Sequence, residues 1–409
     1  MVAHNVLFNI IEESGYCDDY VEDHSFLISP DVYILSPSDQ NQINNIGIFM
    51  PTVLHGADRL MNEVSPAHKI NAIINSGIPQ VYQRIQREHL QIPEIVKVDL
   101  IKDVDGRFWI MEVDSINKHG WGLTMLINKL RDIIMPNAHV PQSIAKILGQ
   151  AILESGFYNN AVSLISASHE HFYLPEFKIL SRELSVLGVS MIILEEPISA
   201  NDVRTLSIDF PFLFRSSKEE ATDIAKAYCS FKKGFLLPPK PFLGSKAIMS
   251  LVINREEQNE VQEIVRTYIS DYALAGLSRY IPPTFLVNKR KGSGCPYWLE
   301  YAQGNRCVLK ACLSSGARQV YFPESGDYWN MVQKACSSNS MYVLQHEIIS
   351  KLHRIRYFNH SGDVVEEDMY CRFTAYFSLN ALVDLRVVAR SNKRVHGSPD
   401  AVQMGVVIG

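Results

Sequence analysis

Three carboxylates, Asp99, Glu112 and Asp114, and one lysine, Lys97, are expected to crowd one face of a hairpin in the stretch Pro93–Gly120, PEIVKVDLIKDVDGRFWIMEVDSINKHG. It reads as two strands joined by an Asp-Gly turn over Asp103–Gly106. Side chains alternate along a strand, so Lys97, Asp99 and Ile101 share one face, as do Phe108, Ile110, Glu112 and Asp114. This register sets Lys97 opposite Glu112, with Asp99 on the diagonal. Carboxylates clustered on a half-buried sheet repel one another unless a cation neutralises them. Mg²⁺, held by one or two carboxylates and by substrate phosphates, answers that need. The alternative is a solvent-facing hairpin edge carrying ordinary charges.

Two lysines add to the chemistry. Lys246 sits at the mouth of a helix after the proline-rich turn LLPPKPFLGSKA, and Lys310 lies mid-strand in RCVLKACLSSGARQVYF. A lysine inside an apolar strand is costly unless its ammonium meets an anion or snorkels to water. The loop Ser314-Ser315-Gly316-Ala317 offers backbone N–H groups and hydroxyls for a phosphate, but lacks the GK[ST] ending of a P-loop. The C-terminal segment supplies Arg372, Arg386, Arg390, Lys393, Arg394 and His396. Arg386 and Arg390 share strand parity, and two forked guanidinium groups on one face suit a phosphate or carboxylate. A solvated, basic edge strand is the other reading.

These residues need elements to position them. VYILSPS and IGIFMPT read as strands in residues 1–60. SPAHKINAIINS, with Ser65 as N-cap and Pro66 at the first helical position, and IPQVYQRIQREHL read as helices. Leu123–Ile134 forms another helix, stopped by Pro136. AVSLISAS, VSMIILEE and FPFLFRS alternate with the helices PEFKILSRELSVLG and KEEATDIAKAYCSF, which argues for a parallel α/β sheet. No GxGxxG follows its first strand, so a dinucleotide site is not expected. One helix is expected from about Ser245 to Ser270. PTFLV, RCVLKAC, QVYFP and MYVLQHEII surround a polar helix near Tyr328–Cys336 in a small α+β lid, and MYCRFTAYFSLNALVDLRVVARSN returns to β structure.

The chain has 409 residues, too many for one ordinary core. Hydrophobic content of 46% with 20% charged residues fits a compact soluble protein. A net charge of −5 and a pI near 6.2 argue against nucleic-acid and anionic-membrane binding. Seven cysteines form no CxxC pair, and no stretch reads as a signal peptide or a bilayer span. A cytoplasmic setting is the expectation.

Taken in order, the carboxylate hairpin, the α/β segment, PxxxLGSKA, PPT, VLKACLSSGA, YVLQHEII and RVVARSN resemble the circularly permuted ATP-grasp ligases. The motif order resembles that of the glutathionylspermidine-synthetase-like branch, and the chain also resembles the pheganomycin-type peptide ligases. In this group the metal-binding hairpin precedes the nucleotide lysines. The resemblance spans roughly residues 90–409. It implies a permuted ATP-grasp fold of mixed α/β and α+β character. Its parts would be an N-terminal region with the hairpin (1–150), a Rossmann-like subdomain (151–244), a lid with the nucleotide lysines (245–350) and a C-terminal β segment (351–409). It implies Asp99, Glu112 and Asp114 as Mg²⁺ ligands, with aspartate at 114 where asparagine is usual. Lys97 falls where an arginine is usual and joins the catalytic set. Lys246 and Lys310 match the lysines on ATP phosphates, Ser314, Ser315 and Gly316 the loop closing over them, and Gln345 and Glu347 the strand lining adenine and ribose. Arg386 or Arg390 matches the arginine that steadies the acyl phosphate.

The implied reaction joins a small-molecule carboxylate to an amine, an amino acid or peptide, at the expense of ATP. The resemblance leaves room for a homodimer. Alternatives on the same fold are an acid–thiol ligase, a carboxylate kinase and a catalytically inactive ATP-binding regulatory module. Substrate contacts are sought in Glu112–Gly122 and Ser391–Ala401, where Lys118, His119, Arg394 and His396 either meet an anionic substrate or are solvated loop residues.

Overall fold

The computed structural model describes residues 4–16, 26–66, 68–75, 77–78, 80–87, 92–114, 118–140, 142–155, 161–166, 168–195, 206–207, 234–238, 240–253, 258–287, 297–313, 319–337, 341–378 and 381–409. Its strands, in chain order, are β1 (Leu27–Ile28), β2 (Tyr33–Leu35), β3 (Val96–Lys102), β4 (Phe108–Asp114), β5 (Ala161–Ser166), β6 (Ser190–Glu195), β7 (Leu206–Ser207) and β8 (Gly234–Phe235), followed by β9 (Thr284–Val287), β10 (Cys307–Ala311), β11 (Val320–Tyr321), β12 (Tyr342–His346), β13 (Leu352–Phe358), β14 (Val364–Ser378), β15 (Ala381–Arg390) and β16 (Val402–Ile408). No helix among the described residues is long and apolar enough to cross a membrane.

The largest sheet is mixed and eight-stranded, in the order β13-β1-β16-β15-β14-β3-β4, with β2 also pairing with β16. Its contacts are antiparallel except for β1–β16 and β2–β16. Period-two alternation sorts the sheet into two faces. Val96, Val98, Leu100, Phe373, Ala375, Phe377, Leu385, Val387 and Ala389 belong to one buried apolar cluster. Lys97, Asp99, Arg372, Thr374, Arg386 and Gln403 occupy the alternate positions and so point to the other face. That polar face is the floor of the site described below.

The apolar face packs on the helix Pro37–Glu63, which overturns the strand expected at IGIFMPT. Ser36 and Asp39 form a capping box: the Ser36 hydroxyl accepts from Asp39 N at 3.2 Å and the Asp39 carboxylate from Ser36 N at 3.4 Å. Pro37 lies in the first turn, where its missing N–H costs nothing. Ile43, Ile46, Met50, Val53, Leu54, Ala57, Leu60 and Met61 then recur at helical spacing, all buried. An interior proline costs about 3 kcal/mol, so Pro51 is held in this helix by tertiary burial against its local preference. The next helix is Lys69–Ile74 and begins at His68 rather than Ser65, because His68 Nδ1 accepts from Ile70 N at 3.2 Å.

A second sheet, antiparallel, runs β11-β10-β12-β9. One face is apolar and lies under the helices Tyr297–Gly304 and Tyr328–Ser337. The other carries Thr284, Lys310 and Gln345, all buried. A third sheet, β6-β5-β7-β8, is parallel as expected, with the helix Leu174–Val186 between β5 and β6. FPFLFRS and the helix expected at KEEATDIAKAYCSF lie outside the described residues. Of the single helix expected over Ser245–Ser270, the described residues hold Ala247–Ile253 and Gln258–Tyr268, and residues 254–257 lie outside them.

Candidate functional site

The β3–β4 hairpin turns where expected. Lys102 opposes Phe108, and Gly106 has φ +84°, a conformation glycine adopts without penalty. The Asp103 carboxylate holds the turn by accepting from Asp105 N, Arg107 N and Trp109 Nε1. The register differs from the expected one by one residue next to the turn, where Lys102 rather than Ile101 opposes Phe108, and by a second residue beyond Ile110. Leu100 opposes Ile110 but Asp99 opposes Glu112, so Met111 is an extra, bulged residue. The bulge reverses strand parity, placing Glu112 and Asp114 on the face opposite Phe108 and Ile110. It also makes Asp114, not Glu112, the partner of Lys97. Lys97 Nζ donates to Asp114 Oδ2 at 2.9 Å. Burial works against the Lys97 ammonium, but Asp114 and Asp99 outweigh it and hold its pKa above the ordinary lysine range.

Glu112 meets Lys246 instead, at 2.8 Å. Lys246 follows a short 3₁₀ turn, Pro241–Gly244, and its backbone N–H donates to Cys312 O at 3.0 Å, tying it to the end of β10. Lys310, on β10, donates to Gln345 Oε1 at 2.6 Å and to Met111 O at 3.4 Å. Lys246 is 3% exposed and Lys310 8%, so neither snorkels to water. Burial and the neighbouring Lys246 lower the Lys310 pKa to about 8. Two ammonium groups thus lie close together, with Glu112 beside both, between the polar faces of the two sheets.

Deeper on the floor, Asp99 accepts from Thr374 Oγ1 at 2.7 Å and meets Arg372 at 3.4 Å. Burial opposes the Asp99 carboxylate, but Arg372 and Lys97 hold its pKa below the ordinary range. Arg386 is 6% exposed on β15, an interior strand, so the solvated-edge reading does not hold there. Its Nη1 donates to Gln403 Oε1 at 3.1 Å. Glu176 lies nearby, accepting from Gly120 N at 2.7 Å and Leu123 N at 3.3 Å at the start of the helix Trp121–Ile134. Burial pushes its carboxyl pKa up, against the pull of Arg386. Tyr376 donates to Gly120 O at 3.2 Å. Among the described residues, Arg372 Nε and Arg386 Nε are buried with no hydrogen-bond acceptor.

The remaining candidates make other contacts. Arg390 ends β15, its Nε donating to both oxygens of Asp400 at 2.9 and 2.8 Å. Glu347 follows β12 and is engaged by Arg306 and Lys393. Ser314, Ser315 and Gly316 lie outside the described residues. In the two substrate segments, Lys118 is buried with its Nζ 5.1 Å from the Phe177 ring centroid, and His119 stacks on Tyr173 at 3.7 Å. Glu176, Thr374, Tyr376 and Gln403 were not singled out in the sequence. Polar residues alternating with apolar ones on β14 and β16 are the signal that marks three of them.

Lys97, Lys246, Lys310, Arg372 and Arg386 together meet Asp99, Glu112, Asp114 and Glu176. The positive excess and the two acceptor-less guanidinium nitrogens suit an anionic ligand. Among the described residues, no three His, Cys, Asp or Glu side chains converge as a preformed metal nest. Asp99 and Glu112 do stand directly across the ladder, the one or two carboxylates that Mg²⁺ needs when phosphates complete its shell.

No protein-family model and no curated protein matches the sequence. The chain is similar in fold to a glutathione synthetase-like effector from Globodera pallida, solved in its apo form. The TM-score is 0.61 at 10% identity, over 100% of this chain and 98% of that one. A protein named as a gamma-glutamylcysteine synthetase, from Methylobacillus flagellatus KT, gives a TM-score of 0.41 at 12% identity over 82% of this chain and 85% of that one, too loose to carry an argument. The fold is thus mixed α/β, of the kind the effector has.

Proposed function

We propose that this chain is an ATP-dependent carboxylate–amine ligase of the circularly permuted ATP-grasp type, forming an amide or peptide bond. The observation that carries the reading is the pairing of Lys246 and Lys310, buried side by side against Glu112 between two sheets. The fold shared with the synthetase-like effector supports it. Buried ammonium groups in excess of their carboxylates are a costly arrangement that a polyphosphate would relieve.

In this reading Lys246 and Lys310 bind nucleotide phosphates, aided by Ser314, Ser315 and Gly316, and Gln345 and Glu347 line the nucleoside. Asp99, Glu112 and Asp114 would hold Mg²⁺, which supplies charge neutralisation at the phosphates. Binding would draw Lys246 off Glu112, freeing that carboxylate. A carboxylate oxygen of the acid then attacks the γ-phosphorus and ADP leaves. The amine nitrogen attacks the resulting acyl phosphate, a proton is lost and phosphate departs. Such chemistry rests mainly on positioning and charge. Lys97 and Arg386 or Arg390 stabilise negative charge as it develops on the acyl oxygen.

The test is ADP release from Mg-ATP across a panel of carboxylates and amines, with products identified by mass spectrometry. Release that needs both an acid and an amine is expected. Release needing the acid alone would mark a carboxylate kinase, and release needing a thiol an acid–thiol ligase. Nucleotide binding without any release would overturn the ligase reading in favour of a regulatory module.

A further inference from the structure

The loop between β15 and β16 is fastened at both ends of its basic stretch. On one side it pins Arg390, whose Nη1 donates to Arg394 O at 3.1 Å and lies 3.1 Å from His396 Nε2, while Asp400 takes its Nε. On the other it grips the four-stranded sheet. Lys393 Nζ meets Glu347 Oε1 at 2.7 Å and also meets Glu324. Arg306 completes the ring, with Nε 2.9 Å from Glu347 Oε2 and Nη2 2.8 Å from Glu324 Oε2. Arg394 donates to Val320 O at 2.9 Å. Phe322 lies beneath both cations, its centroid 4.7 Å from Lys393 Nζ and 5.8 Å from Arg394 Cζ.

The placement relates this network to the site. Arg306 and Glu347 lie one position beyond the β10–β12 ladder, joined by Glu347 N donating to Arg306 O at 2.9 Å, with the parity of Lys310 and Gln345 respectively. The network therefore borders the face of the sheet that carries Lys310. Arg390 lies four positions along β15 from Arg386, on the same side. Lys393 is thus the joint between the element carrying a nucleotide lysine and the loop holding the terminal arginine.

We propose that Lys393 is a positioning residue: its ion pairs with Glu347 and Glu324 latch the four-stranded sheet to the Ser391–Asp400 loop, so that closing the sheet over the site and fixing Arg390 are one event. The proposal rests on the ligase reading for its catalytic consequence, but not for the latch itself. Arg306 and Lys393 are partly exposed, and pairs of that kind are individually weak and screened by salt. Those are the properties of a latch that must release for nucleotide to exchange.

Hydrogen exchange and steady-state kinetics of the full chain test it, using Lys393→Met, Lys393→Arg and Phe322→Leu. In Lys393→Met, amides of residues 391–400 and 320–327 exchange faster, while β3 and β14 do not change. Raising the ionic strength does the same to the wild type. With a working acid and amine, kcat falls on the order of tenfold or more, KM for ATP changes less, and Lys393→Arg restores most of the loss. Phe322→Leu gives a smaller loosening of the same two segments. Unchanged exchange in 391–400 overturns the latch whether or not any ligase activity is found. Faster exchange with kcat and KM for ATP unaffected overturns the positioning role. Faster exchange in a protein that never releases ADP leaves the latch standing and overturns the ligase reading alone.

Discussion

At the scale of single residues, the lysines carry the sharpest consequences. Glu112 is the counter-charge of Lys246, which is almost wholly buried beside Lys310. Glu112→Gln therefore leaves two neighbouring ammonium groups with less compensation. The ligand-free protein should lose about 1–3 kcal/mol, measured by urea unfolding, and ADP release should vanish. Had Glu112 served only to crowd other carboxylates, the change would have relieved repulsion and raised stability; the bulge at Met111 reverses that sign. Lys310 predicts a pH dependence. Its pKa is lowered to about 8, whereas in the unfolded chain it returns to the ordinary lysine value of 10.5. Below pH 8 both states hold the proton, and the folded chain carries the cost of a buried charge. Between pH 8 and 10.5 only the unfolded chain holds it, so this residue's contribution to stability rises with pH. Lys310→Met should show a stability advantage over wild type at pH 7.5 that shrinks by pH 10. In the wild type, Mg-ATP binding near pH 8.5 should take up protons, seen by calorimetry in buffers of different ionisation enthalpy, and Lys310→Arg should not.

At the scale of elements, two contacts set where these side chains stand. Lys240, fully buried, forms an ion pair with Asp58 of the helix Pro37–Glu63. This anchors the segment that leads into Lys246. Lys240→Met strands the Asp58 carboxylate in the core and should cost about 3–5 kcal/mol, while adding Asp58→Leu should recover most of it. Denaturant midpoints of the single and double variants check this; a double variant as unstable as the single would point to a packing role for Lys240 instead. The second contact is the approach of the helix Trp121–Ile134 to Glu176. A Cβ on Gly122 would lie 2.1 Å from Glu176 O. Gly122→Ala must push these elements apart, costing about 1–3 kcal/mol and loosening the Gly120–Glu176 hydrogen bond. Faster exchange at the Gly120 amide would report it. Wild-type exchange there would mean that the backbone accommodates the methyl group elsewhere.

For the whole molecule, the fold works as two polar sheet faces brought together around charge. The described helices and the apolar sheet faces supply the burial; the site is where burial and charge conflict. A ligand that resolves the conflict must stabilise the folded chain. Mg-ATP at 100 times its Kd should add about 2.7 kcal/mol and raise the melting temperature. Lys246→Ala with Lys310→Ala should abolish that shift. An unshifted wild type at millimolar Mg-ATP would refute the nucleotide site.

Much of this plan was legible in the residues. The Asp-Gly turn, the alternation along β14 and β15, the parallel β5–β6 unit and the strands of the smaller sheet are local patterns, because turn chemistry and period-two burial act over a few positions. The lysines and carboxylates announced themselves by being charged within apolar runs. Tertiary structure decided the rest. IGIFMPT is apolar enough for either a strand or a buried helix, and the capping box at Ser36 with the core beneath chose the helix. The bulge at Met111 inserts one residue into a ladder, and nothing in FWIMEVD marks it; the backbone N–H of Ile110 instead donates to Tyr280 O. Partners of the charged groups could not be read from spacing either: Lys246 lies 134 positions from Glu112 and Thr374 lies 275 from Asp99. Side-chain type and local period fix what a residue can do, whereas its partner is fixed only when the chain closes and the low dielectric of the interior requires every buried charge to find one.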